Sequence, residues 1–337
     1  VDSFMANVCM KTIISKCRPS IINQFTRTLP SPEAQLVGRR ASELFDYVVG
    51  KGKCARAQLV LSTHSALNEK HEEWVEKVAA AMEVLQAFLL VADDVMDDSE
   101  TRRGQVCWHK KKGIGLAAIN DAFMLKVTAE RGVREAFEGH KFERAAVDCM
   151  LDTVDKTLVG QLLDTHTSKR IDEFTWQRYE EIVTHKTSYY SFVLPMQLGM
   201  LAANRHLGIS QVVNLACRIG YLFQAQDDRL DVYGKSTVTG KLGSDIREGK
   251  CTWFSCRALQ LLQDKQGGLE EFKKAYASGD GTDRVMEVYE KLQLNAQFTQ
   301  FEEKYTEKIR HEIEKFPIEP LQPVFTGLIS QLSARAK

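Results

Sequence analysis

The chain has no apolar run approaching the roughly 18 residues of a membrane-crossing helix, so no membrane span is expected. Proline is scarce and unevenly placed. The seven prolines stand at 19, 30, 32, 195, 317, 320 and 323, leaving two stretches of over a hundred residues without one. Because proline breaks helix interiors, an all-helical body is the economical expectation. Net charge is missing too: 45 Lys and Arg balance 45 Asp and Glu. Without a global basic field, nucleic acid and acidic membrane surfaces are not expected partners, and any basic site must be local. The eight cysteines form no CxxC pair and no zinc spacing, and read as reduced thiols of a cytosolic or organellar protein. No period of 20 to 50 residues repeats, which argues against a solenoid. The first residue is Val1 rather than Met, so a removed targeting segment stays open; cytoplasmic placement is expected, with an organelle as the alternative.

Against these absences stands a concentration of carboxylates. The apolar run Phe88-Leu-Leu-Val-Ala-Asp-Asp-Val-Met-Asp97 ends in Asp93, Asp94 and Asp97, and a helix would hold Asp93 and Asp97 one turn apart on one face. Like charges at that spacing need a compensating cation or plain solvent. A solvated helix end would be the bland explanation of one such run. The pattern recurs in Phe223-Gln-Ala-Gln-Asp-Asp-Arg-Leu-Asp231, with Asp227, Asp228 and Asp231 at the same offsets. Two sets of hard oxygen ligands suit Mg²⁺, which keeps waters and is completed by phosphate oxygens. A diphosphate is the expected third party.

The rest of the chain reads as helices joined by short loops. A first helix is expected over about 3–28, and a second over about 32–49 with Pro32 well placed at its start after Ser31. Gly50-Lys-Gly-Lys53 forms a flexible cationic loop, common on surfaces but also a natural phosphate contact. From about Glu72 to Ala92, Val75, Val78, Ala79, Met82, Leu85 and Leu89 recur at helical spacing. Gln86 in this helix is either a surface amide or a buried one needing partners. Arg102 and Arg103 beside the carboxylates make either salt bridges or a diphosphate clamp, for which the guanidinium fork is suited. Residues 117–168 are helical in period, with Gln161 and Asp164 one turn apart. Lys186, flanked by aromatics, could simply snorkel. A second core helix covers about 212–231 and carries Gln224, and a loop follows from Tyr233 to Gly249.

These runs carry a resemblance. Asp93-Asp-Val-Met-Asp97 and Asp227-Asp-Arg-Leu-Asp231 are similar to the two aspartate-rich motifs of short-chain trans-isoprenyl diphosphate synthases, of the farnesyl diphosphate synthase type. Thr101-Arg-Arg-Gly-Gln105 and Gly240-Lys-Leu-Gly-Ser-Asp245 match further signatures, and the likeness runs from about Phe45 to about Trp253. It implies one all-α domain over 1–337, a large helical bundle of the isoprenoid synthase type around a central cavity, working as a homodimer. It implies condensation of isopentenyl diphosphate with dimethylallyl or geranyl diphosphate to give mainly farnesyl diphosphate. Three Mg²⁺ are implied, with Mn²⁺ or Co²⁺ as substitutes, held by Asp93, Asp94, Asp97, Asp227, Asp228 and Asp231, with Asp164 as a further partner.

Residue by residue, the resemblance puts Arg102, Lys186 and Lys241 on the allylic diphosphate. Gly52, Lys53, Arg56, Gln86 and Arg103 fall on the homoallylic one, and Lys241 and Lys250 on lysines that close over the diphosphates. Thr187 and Tyr190 lie near the growing cation, and Gln224 joins Lys186, Thr187 and Tyr190 as the expected catalytic group. Phe88 and Leu89, one turn before Asp93, are the expected floor of the tail cavity. Lys51, Ala55 and Ala57 stand where glycine, asparagine and glycine are usual, and Arg229 where tyrosine is. Such drift fits a terpene synthase that ionises a prenyl diphosphate without using isopentenyl diphosphate; the retained Lys53, Arg56, Gln86 and Arg103 argue for condensation. A non-enzymatic scaffold would have to explain two complete aspartate triads.

Overall fold

The computed structural model describes residues 10–68, 70, 72–234, 243–263, 268–279 and 281–335. The chain is all-α, as expected, and its residues group into two compact units: one of residues up to Thr153 together with Phe192–Val212, the other of Val154–Ser191 and Val213 onward. Among the described residues no helix is long and apolar enough to cross a membrane.

The first unit holds α1 (Met10–Thr26), α2 (Ser31–Val48), α3 (Ala55–Leu67), α4 (Glu73–Met96), α5 (Ala117–Ala136), the start of α6 (Glu143–Thr167) and α8 (Leu194–Ala202). Helix α2 begins one residue earlier than expected: Ser31 is its first residue, Pro30 stands at the cap with no side-chain cap bond, and Pro32 lies within the first turn. Helix α4 is the centre of this unit and packs on α5 and α3. Val78, Ala79, Met82 and Leu85 are wholly buried along it, each larger side chain contributing about 1.5–3 kcal/mol of burial. Glu73 and Glu76 occupy its first turn, where acidic groups complement the helix dipole.

The end of α4 differs from expectation. The helix continues through Asp93 and Asp94 to Met96; Asp98 then turns into the left-handed region at φ 49°. A two-stranded hairpin follows, β1 (Thr101–Arg102) paired antiparallel with β2 (Gln105–Val106) in the register Thr101↔Val106 and Arg102↔Gln105. Its tip is Arg103-Gly104, at φ 55° and 75°, the two positive values that a tight type I′ turn requires. Arg102 and Arg103 are therefore placed by a hairpin, with different backbone conformations.

The second unit contains the end of α6, then α7 (Trp176–Ile182), a π-helical stretch Val183–Val193, α9 (Ile209–Tyr233, mostly here), α10 (Ser244–Glu248), α11 (Trp253–Leu262), α12 (Leu269–Ser278), α13 (Thr282–Lys291), α14 (Leu294–Glu314) and α15 (Gln322–Arg335). Its core is rich in rings: Tyr179, Trp253, Phe254, Phe272, Tyr276, Tyr289 and Phe298 are buried together. Phe254 stacks on Phe298 with centroids 5.5 Å apart. The wide π turns carry Lys186, Thr187 and Tyr190. They lie so close to α6 that a Cβ on Gly160 would come within 2.1 Å of the Lys186 nitrogen, so only glycine fits there.

Candidate active site

In the first unit the carboxylates at the end of α4 meet the hairpin. Arg102 forks between two of them, Nη2 to Asp93 Oδ2 at 2.9 Å and Nε to Asp94 Oδ1 at 2.6 Å. Asp94 is buried, while Asp93 and Asp97 are half-buried. Burial raises the Asp94 carboxyl above the ordinary carboxylate value, with Arg102 opposing it. Burial lowers the Arg102 guanidinium, but Asp94 and Asp93 outweigh it and the net shift is upward. The two adjacent arginines, which the resemblance assigns to different diphosphates, point to different neighbours: Arg102 turns to the aspartates, and Arg103 lies elsewhere.

Arg103 reaches the loop before α3. Its guanidinium sits against Gly52, where a Cβ would come within 2.8 Å of Nη2; a side chain at 52 would push the cation away. Gln86 joins Arg103 to Arg56. In the amide orientation that satisfies all its neighbours, its oxygen accepts from Arg56 at 2.9 Å and from Arg103 at 3.2 Å, and its nitrogen donates to Glu83 Oε2 at 3.0 Å. Arg56 and Gln86 are buried, whereas Lys53 and Arg103 are exposed. Burial raises the Glu83 carboxyl, opposed by Arg56, the Ala57 N–H and Arg103.

In the second unit the second aspartate run lies near the end of α9, and each carboxylate has a different environment. Asp228 is 2 % exposed and accepts from Tyr179 Oη (2.7 Å), the Trp253 backbone N–H (2.9 Å) and Gln224 Nε2 (3.0 Å). Trp253 opens α11 after a Thr252–Ser255 capping box, so its N–H is one of the helix-start donors without an intrahelical acceptor. Gln224 accepts in turn from Thr187 Oγ1 at 2.8 Å, linking the π-helical stretch to Asp228. Burial pushes the Asp228 carboxyl up to about 7 against these donors. Asp231 caps α10 through Ser244 N (3.1 Å), Ser244 Oγ (2.5 Å) and Asp245 N (3.0 Å). Asp227 is the more exposed member and pairs with Arg335 of α15, whose guanidinium also lies over the Phe223 ring at 4.6 Å.

Asp164 on α6 lies between two lysines. Lys186 and Lys250 both donate to its Oδ2, at 2.6 and 3.0 Å. Burial works against the ionised form, yet the two ammonium groups outweigh it and hold the Asp164 carboxyl below the ordinary value. Arg229, the unusual residue of the second run, turns away from the aspartates: it bonds Asn295 at 3.0 Å and Glu302 at 3.5 Å and lies over Phe298 at 5.4 Å. Phe88 is buried and Leu89 and Tyr190 are half-buried. Lys241 lies outside the described residues.

The sequence reading gave no role to Glu83, Tyr179, Trp253, Ser244 or Arg335. Two had a local signal: Ser244 within the Gly240–Asp245 signature, and Glu83 as the one charged residue between Lys77 and Asp93. Among the described residues no three acidic, histidine or cysteine side chains converge on one point, so each run offers a partial set of oxygen donors. That suits Mg²⁺, which retains water and takes phosphate oxygens. The chain's own cations, Arg102 and Arg335, rest on carboxylates of the two runs, so an ion bound there would share them with those guanidinium groups or displace them.

An all-helical body with two aspartate clusters and fixed guanidinium and ammonium groups has the donors to hold both anions and cations. Comparison with known proteins specifies it further. The polyprenyl synthetase family model matches residues 39–292. The farnesyl pyrophosphate synthase of Gallus gallus is 33 % identical over 335 residues, covering 95 % of this chain and 90 % of its own length. That of Homo sapiens is 35 % identical over 314 residues, 88 % of this chain and 74 % of its own. That of Zea mays is 34 % identical over 307 residues, 87 % of each. The chain belongs to the polyprenyl synthetase family.

Proposed function

We propose that the chain condenses isopentenyl diphosphate with dimethylallyl or geranyl diphosphate, giving mainly farnesyl diphosphate in a Mg²⁺-dependent reaction. Membership of the family makes it a farnesyl diphosphate synthase-like prenyltransferase; the substrates and metal are our reading. The observation that carries it is the presence of two separate sets of anion-holding groups. One is the first aspartate run with Arg102 forked between Asp93 and Asp94. The other is the Arg56–Gln86–Arg103 cluster beside Gly52 and Lys53, which an enzyme with a single diphosphate substrate has no need of.

The residues divide the work accordingly. Bound Mg²⁺ supplies charge neutralisation to the departing diphosphate, and Asp93, Asp94, Asp97, Asp227, Asp228 and Asp231 are the groups that would hold it. Arg102, Lys186 and, by resemblance, Lys241 add fixed positive charge where negative charge develops. Arg56, Arg103 and Lys53 hold the second diphosphate so that its double bond meets the allylic cation. The Thr187 and Gln224 pair orients the buried Asp228. We read 1–337 as one catalytic domain and the active species as a homodimer.

Product analysis with Mg²⁺ and allylic diphosphates, each with and without isopentenyl diphosphate, tests this. Elongated prenyl diphosphates should form only with both substrates. Turnover of the allylic substrate alone to hydrocarbon, with isopentenyl diphosphate ignored, would favour the terpene synthase reading suggested by Ala55 and Ala57.

Chain length gives a second test. Phe88 and Leu89 lie one turn before Asp93, and the bulk of the Phe88 ring is the proposed floor for the growing tail. Phe88→Ala should move the product mixture from fifteen toward twenty carbons. An unchanged mixture from a folded variant would place the length control elsewhere.

A further inference from the structure

Glu83 is 2 % exposed and sits three residues before Gln86 on α4, so the two side chains share one face. Its two oxygens serve different partners. Oε1 accepts the Ala57 backbone N–H at 3.2 Å. Ala57 lies in the first turn of α3, where N–H groups have no intrahelical acceptor. The residue before that helix, Cys54, is left-handed at φ 50° and provides no side-chain cap, so Glu83 supplies from α4 the negative cap that the loop does not. It thereby anchors the turn that bears Arg56. Oε2 accepts from the Gln86 amide nitrogen at 3.0 Å, which turns the amide oxygen toward Arg56 (2.9 Å) and Arg103 (3.2 Å). The reverse orientation would set an NH₂ group against two guanidinium groups and an oxygen against a carboxylate, with no hydrogen bond possible on either side.

We propose that Glu83 is a positioning residue for the second substrate: its carboxylate sets the polarity of the Gln86 amide, and the amide oxygen then holds Arg56 and Arg103 together to receive one diphosphate. Two guanidinium groups drawn to one oxygen repel each other, and the neighbouring carboxylate offsets that repulsion before any substrate arrives. The assignment rests on the reading that this cluster binds isopentenyl diphosphate.

Exchanging the two side chains tests the polarity. In Glu83→Gln the introduced amide can still accept from Ala57, but its NH₂ then meets the NH₂ of Gln86, or Gln86 reverses and faces the arginines with donors. The unfolding midpoint should fall by several degrees. The KM for isopentenyl diphosphate should rise on the order of tenfold, and more than the KM for the allylic substrate. Gln86→Glu alone sets two carboxylates against each other and should also be less stable than the parent. The double variant Glu83→Gln/Gln86→Glu satisfies every partner again: the introduced glutamine accepts from Ala57 and donates to the introduced glutamate, which accepts from both arginines. It should be more stable than either single variant, with an unfolding midpoint back near that of the parent. A KM for isopentenyl diphosphate unchanged in Glu83→Gln would overturn the positioning role. If the parent protein ignores isopentenyl diphosphate, the functional reading fails, and the unfolding midpoints still decide the polarity: a double variant no more stable than the singles overturns it.

Discussion

Asp93→Ala is expected to lower kcat by about 10²–10³-fold, the loss typical of removing one group that stabilises developing charge in a closed site. Asp227→Ala should do the same. The reasoning is electrostatic. On the proposed reading an allylic diphosphate leaves with its charge concentrated on phosphate oxygens, and the carboxylates would hold the divalent cations that meet that charge. Asp93 is less buried than Asp94, and Asp227 less than Asp228, and each is currently matched by a guanidinium, Arg102 or Arg335. Asp94 keeps its bond from Arg102 Nε when Asp93 is truncated, so the hairpin should stay in place and the loss should be functional. Unfolding midpoints near that of the parent would verify this. Magnesium titrations of diphosphate binding, followed calorimetrically, should show weaker coupling between metal and ligand in both variants. Near-normal turnover by either variant, or by the parent in excess chelator, would sink the metal assignment.

The carboxylate runs were legible in the sequence because their logic is local. Apolar residues at helical spacing, ending in acids at i, i+1 and i+4, specify which groups share a face: α9 carries all three of its acids, and α4 carries Asp93 and Asp94 with Asp97 as its C-terminal cap. Arg102 was visible as a cation beside them, but its separation from Arg103 depended on a hairpin that a Thr-Arg-Arg-Gly-Gln-Val run announces only weakly. The environment of Asp228 was not legible at all. Its donors Tyr179 and Trp253 lie 49 and 25 residues away, and nothing in either local sequence points to a buried carboxylate. The same holds for Arg335, which is 108 residues from Asp227. Glu83 lies between these cases. A lone acid in an apolar helix signals a buried partner, though its identity, the first turn of α3, required the fold. The π-helical stretch at Lys186 had no signature either, since Gly160, which admits it so closely, looked like any glycine in a helical run.

Asp164→Ala is expected to destabilise the protein by about 3–5 kcal/mol, the cost of removing one partner from a buried charge cluster. In a unit of this size that corresponds to roughly 10 °C or more in Tm. Asp164, Lys250 and Lys186 have side-chain exposures of 7 %, 11 % and 26 %, so solvent does little to screen the two ammonium groups once the carboxylate is gone. Both donate to the same oxygen, and they would then face each other with no anion between them. The pH dependence follows from the depressed pKa of Asp164. A carboxyl whose folded value lies below its unfolded one contributes stability that is fully present above the unfolded value and is lost as pH falls through the folded value. The gap in Tm between parent and variant should therefore be widest near neutral pH and close only below the ordinary aspartate range. Adding Lys250→Met to Asp164→Ala should recover part of the loss, because it removes one of the two repelling charges and leaves an apolar side chain of similar length. A Tm for Asp164→Ala equal to that of the parent at neutral pH, or a gap that does not change with acid, would show that the lysines find other anions and that Asp164 is not what holds Lys186 in the π-helical stretch.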